Sequence, residues 1–106
     1  MPTYVVERYL AGLTRDQLRS RATQEARLGA NGVRFIRSIY LCEDELCFSV
    51  FEATSDAVLR DANHEAGMAF ERITEAIDLT ADDLDLITAG APPASFANSA
   101  SERGSR

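Results

Sequence analysis

Residues 33–53 constrain this chain more than any other stretch, because two strand-like segments flank the acidic connector Cys42-Glu43-Asp44-Glu45-Leu46-Cys47. An antiparallel hairpin of odd-sum register accounts for the apolar residues, the charges and both cysteines together. With Leu41 opposite Phe48, Ile39 faces Val50 and Arg37 faces Glu52, so that one face is apolar and ends in a complementary charge pair. The other face then pairs Cys42 with Cys47, Tyr40 with Ser49, Ser38 with Phe51 and Ile36 with Ala53. A two-residue slip would change these partners and leave the faces intact, since side chains alternate with period two.

The rest of the chain supplies two helices and two more strands. Residues 3–10 alternate and are rich in aromatic and β-branched side chains, which predicts a strand that Gly12 ends. Thr14 and Gln17 have capping-box spacing, and Leu18, Ala22 and Ala26 follow at steps of four as the apolar stripe of a helix running to Gly29 or Gly32. Ser55 is the expected N-cap of a second helix and Gly67 its stop, with Val58, Leu59, Ala62 and Ala66 on one side. A last strand is expected over residues 72–79.

This order, β-α-β-β-α-β, predicts an α+β ferredoxin-like sandwich, with two helices on one face of an antiparallel sheet. The first strand is then central and the opposite face needs a cover. Val5, Tyr40, Phe51 and Ile36 are expected on that face, which predicts a homodimer packed sheet against sheet or closed into a shared barrel.

At 106 residues and 45% hydrophobic content there is room for one core. The expected domain spans residues 1–79. Residues 80–106 form a C-terminal extension in which Leu84, Leu86 and Ile87 are a candidate dimer arm, followed by a flexible Ala, Ser, Pro and Gly tail. No apolar run approaches the roughly 20 residues of a membrane span, and no basic and hydrophobic signal region opens the chain, so a cytoplasmic, non-membrane protein is expected. With 17 acidic against 11 basic residues and a net charge of -6, nucleic acid is a poor partner and cations are natural ones. Two cysteines exclude an iron–sulfur cluster of four thiolates, and a reducing cytosol favours two thiols over a disulfide between opposed Cys42 and Cys47.

Candidate chemistry falls into three groups, each with a structural alternative. His64 is the one histidine, and Asp61 three residues earlier makes an Asp-x-x-His pair that can supply two ligands to a divalent metal; the alternative is a solvated histidine beside a charge. Cys42, Cys47 and Asp44 place soft and hard donors within one turn, equally well read as an acidic hairpin with incidental thiols. Glu7 and Arg8 are charges on a central strand, either a structural ion pair with Arg37 or Glu52 or the polar floor of a pocket that Ser38, Tyr40 and Ser49 would complete. No phosphate-binding glycine loop, His-Glu-x-x-His or nucleophilic triad is present, so no catalytic residue is assigned and the balance is against an enzyme.

Several segments together resemble a small bacterial family of nickel-binding or nickel-responsive ferredoxin-like proteins. They are Tyr4-Val5-Val6-Glu7-Arg8, Ser38-Ile39-Tyr40 through Asp44, Cys47-Phe48-Ser49-Val50-Phe51-Glu52-Ala53, Ala62-Asn63-His64-Glu65-Ala66-Gly67 and Arg72-Ile73-Thr74-Glu75. The resemblance covers about residues 2–79. It implies a cytoplasmic homodimer with nickel or another divalent metal at the dimer surface, and a role in sequestration. The competing expectation is a dimeric α+β-barrel enzyme or small-ligand-binding protein with a pocket at the open sheet face.

Overall fold

The Gln17 backbone N–H donates to the Thr14 hydroxyl at 3.1 Å and the Thr14 N–H donates to Gln17 Oε1 at 2.8 Å, so the capping box that begins the first helix is complete. The computed structural model describes residues 1–29 and 32–84. In chain order the elements are β1 (Thr3–Tyr9), α1 (Arg15–Ala26), β2 (Val33–Leu41), β3 (Leu46–Ala53), α2 (Asp56–Glu65) and β4 (Arg72–Ala76). The strands form one antiparallel sheet in the order β2-β3-β1-β4, and the helices share one of its faces: the expected ferredoxin-like fold.

Between the layers Tyr4, Val6, Val33, Phe51, Ala53, Leu59 and Ile73 form the core. Phe35 meets Phe51 edge to face at 5.5 Å. Ser55 caps α2 through its hydroxyl, as expected. At the other end Gly67 takes φ +68°, its N–H bonds to His64 O at 3.1 Å, and the Met68 N–H bonds to Asn63 O at 2.9 Å. These are the two bonds of a Schellman turn, which satisfies the last carbonyls of the helix.

The hairpin corrects the expected register. Leu41 pairs with Leu46, Tyr40 with Cys47, Ile39 with Phe48 and Arg37 with Val50, two residues from the predicted alignment. Glu45 adopts a left-handed conformation, φ 57°, and its carbonyl accepts from the Leu10 N–H at 2.9 Å, so the four-residue turn is made by residues 42–45 instead of the expected 43–46. Cys42 and Cys47 are therefore not opposed.

A bulge at Ile36 shifts the pairing again, so that Phe35 meets Phe51 and Val33 meets Ala53. Its effect is to send Val33 and Phe35 into the core and Arg34 outward, where it bonds Glu52 at 2.9 Å. The expected Arg37–Glu52 pair is absent, and Arg37 instead holds Asp78 at 2.9 Å. Asp78 follows β4, the edge strand opposite β2, so this ion pair links the segment after β4 to the far edge of the sheet.

That face also carries different residues from those expected. Val5 lies on it, but Tyr40 and Phe51 belong to the helix side. Its apolar members are Tyr9, Ile39, Leu41, Leu46 and Phe48 with Val5 and Val50, and Tyr9, Ile39 and Leu41 remain 57%, 49% and 39% exposed. The final strand ends at Ala76 rather than 79, leaving Ile77 and Leu79 in solvent. Leu84 is also exposed, and the rest of the expected arm, Leu86 and Ile87, lies outside the described residues with the tail.

Candidate functional site

Arg8 is in phase with Tyr4 and Val6 on β1, so its side chain enters the layer between sheet and helices and is only 3% exposed. A guanidinium there must place all its donors. Its Nε bonds Glu25 Oε2 of α1 at 2.9 Å, one terminal nitrogen bonds Asn63 Oδ1 of α2 at 2.6 Å, and the other bonds Ala69 O at 2.9 Å. The Schellman turn at Gly67 delivers the Ala69 carbonyl to this point. One side chain thus ties the central strand to both helices.

Glu25 and Asn63 escaped the sequence reading, although a signal existed for each. Glu25 lies seven residues after Leu18 on the buried face of α1, and Asn63 four after Leu59 on that of α2. The expected partners of Glu7 and Arg8, namely Arg37 and Glu52, are replaced by Arg72 at 3.0 Å and Glu25.

The network continues from Glu25 into β2 and β3. Ser38 donates to Glu25 Oε1 at 2.8 Å, Ser38 and Ser49 hydroxyls are 2.7 Å apart, and Cys47 Sγ is 3.5 Å from Ser49 Oγ. A carboxylate accepts only, so the proton of Ser38 is committed to Glu25; Ser49 then donates to Ser38, and the Cys47 thiol donates to Ser49. Among the described residues no buried side-chain nitrogen or oxygen lacks a partner. A fully satisfied arrangement of this kind fixes the layers against each other.

The pocket residues expected at the open face therefore divide. Arg8, Ser38, Tyr40 and Ser49 lie on the helix side, and Glu7 alone faces outward. Tyr40 donates to Leu10 O at 2.8 Å and, with Leu10, Leu18, Ala22 and Cys47, lines a cavity of about 240 Å3 beneath α1. Desolvation, then the charge of Glu45, pushes its phenol above the usual 10.0.

The proposed metal ligands are spread out. Cys42 is an exposed thiol at the hairpin end, Asp44 is exposed in the turn, and Cys47 is a buried thiol on the helix side. Asp61 lines a groove of about 490 Å3 between α1 and α2, whereas His64 lines another of about 560 Å3 and meets Phe70 edge to face at 5.6 Å. Among the described residues no three His, Cys, Asp or Glu side chains gather as a metal-binding group.

Among the described residues no helix is long and apolar enough to cross a membrane. No curated protein sequence matches the chain. The crystal structure of SCO4226 from Streptomyces coelicolor A3(2) is similar in fold, with a TM-score of 0.61 at 20% identity over 74% of this chain and 99% of that one. Residues 4–76 match the family described as Nickel responsive protein SCO4226-like, a span that holds all six elements except the first residue of β1. The chain belongs to this nickel-responsive, SCO4226-like family.

Proposed function

We propose that the protein is a cytoplasmic homodimer that binds nickel or a similar divalent ion as cargo, holding it at sites completed by both subunits. Family membership is the observation that carries this reading. The scatter of donors within one chain gives it a specific form. An ion that prefers several nitrogen, oxygen or sulfur ligands draws further donors from water or a second chain where, as among the described residues, three do not converge in the first. His64 and Asp61, both exposed, with Cys42 and Asp44, are the donors such a site would draw on; Cys47 would have to leave its hydrogen bond to Ser49.

The dimer would form across the open sheet face. Ile39 and Leu41 of β2 and Tyr9 of β1, on either side of Leu46 and Phe48 of β3, are large apolar side chains left exposed on one face, an arrangement unfavourable in water. Calorimetric titration of nickel, zinc and cobalt into wild type and His64→Ala tests the reading. Saturable heat with nickel that weakens in His64→Ala supports it, and no heat with any of the three metals refutes it.

A further inference from the structure

We propose that the cavity beneath α1 is a binding site for a small organic anion with a short apolar body, a function separate from metal binding. Its interior is formed by Leu10, Leu18, Ala22, Tyr40 and the Cys47 thiol, and this half-open hollow has a volume of about 240 Å3. Apolar and weakly polar walls of this size suit a ligand of few heavy atoms. The polar groups behind the wall are already committed, since Glu25 is neutralised by Arg8 and holds Ser38.

The mouth is where charge is offered. Arg15, Arg19 and Arg21 all line this cavity. At 100° per residue the sheet-facing line of α1 runs through Leu18, Ala22 and Glu25, with Arg15 and Arg19 on one flank and Arg21 on the other. Among the described residues the one ion pair these three make is Arg19 with Asp16, at 3.9 Å and fully in solvent. A chain of net charge -6 thus presents a local cationic collar around an apolar hollow. That combination selects an anionic head at the rim with an apolar body inside, and selects against cations.

Ala22 has the smallest side chain in the lining, so a larger residue there takes up part of the hollow. The test is an amide NMR titration, with no metal added, of the intact chain with hexanoate, 1-hexanol and hexylamine. Hexanoate is expected to shift Leu18, Ala22, Tyr40 and Cys47 saturably and to bind about tenfold more tightly than hexylamine, the gain of a few partly exposed ion pairs. The triple variant Arg15→Gln, Arg19→Gln, Arg21→Gln should lose about tenfold for hexanoate and leave hexanol unchanged. Ala22→Leu, which fills the hollow with a good helix former, should abolish both. Unsaturable shifts confined to exposed amides, equal binding of hexylamine, or hexanoate binding that survives in a folded Ala22→Leu would overturn the proposal. Should Ala22→Leu fail to fold, the arginine variant alone decides, since its substitutions lie at the surface. Because no metal is present, the outcome is independent of the nickel reading.

Discussion

Arg8 Nε lies 2.9 Å from Glu25 Oε2 with both side chains almost completely buried, 3% and 2% exposed. This pair joins the central strand to α1, and through Asn63 the same guanidinium reaches α2. Taking two charges out of water is unfavourable, and it is offset here by hydrogen bonds to every nitrogen of Arg8 and both oxygens of Glu25.

Breaking one half should therefore be severe. Glu25→Ala leaves a buried, uncompensated guanidinium and takes from Ser38 the acceptor of its hydroxyl proton, and should destabilise by about 3–5 kcal/mol. The double variant Arg8→Met, Glu25→Leu removes both charges and should be less unstable than the sum of its single changes by at least about 0.5 kcal/mol. Urea unfolding of the four proteins checks this; strict additivity would mean that the two charges do not interact.

Gly67 makes a separate prediction. Its Cβ would meet nothing within 4 Å, so the penalty of Gly67→Ala is purely that of a left-handed backbone at φ +68°, about 1 kcal/mol. Thermal unfolding should show a fall of a few degrees, roughly 4–8 °C per kcal/mol for a domain of this size.

The two thiols should behave differently. Cys42 is exposed and should react with a thiol reagent in the native protein, whereas Cys47, 4% exposed and bonded to Ser49, should react only as the protein unfolds. Stoichiometry with and without denaturant measures this. Rapid labelling of both would place Cys47 elsewhere than the helix side of β3.

Tyr40 supplies the pH dependence. Its folded value is raised above 10.0 by desolvation and by Glu45, so the protonated phenol is favoured in the folded protein. That contribution is present below pH 10 and is lost as pH rises through the higher folded value. The tyrosinate absorbance missing from Tyr40→Phe relative to wild type should therefore appear above pH 10, and its appearance below would contradict the assigned environment.

Much of this architecture was legible because local signals agreed. The capping box at Thr14, the N-cap at Ser55 and the stop at Gly67 each specify a backbone conformation by themselves, and alternation marks the strands. The exact pairing of the hairpin was not legible, since a slip of two keeps every face and only the left-handed Glu45 selects among alternatives. The adjacent apolar pair Phe35 and Ile36 did signal the bulge, as alternation fails there. At the candidate site, Arg8, Ser38, Tyr40 and Ser49 were identified as residues, but their side of the sheet was not. Glu25 is a charged residue in a core position, and only its buried partner on a distant strand explains it.

The most direct test of the proposed function compares nickel isotherms and sedimentation of wild type and Ile39→Glu, which puts a charge on the open face without touching a proposed ligand. Wild type should sediment as a dimer and bind nickel, while Ile39→Glu should sediment as a folded monomer and release no saturable heat. A wild-type monomer, or a monomeric Ile39→Glu that binds nickel unchanged, would contradict a metal site shared between two subunits.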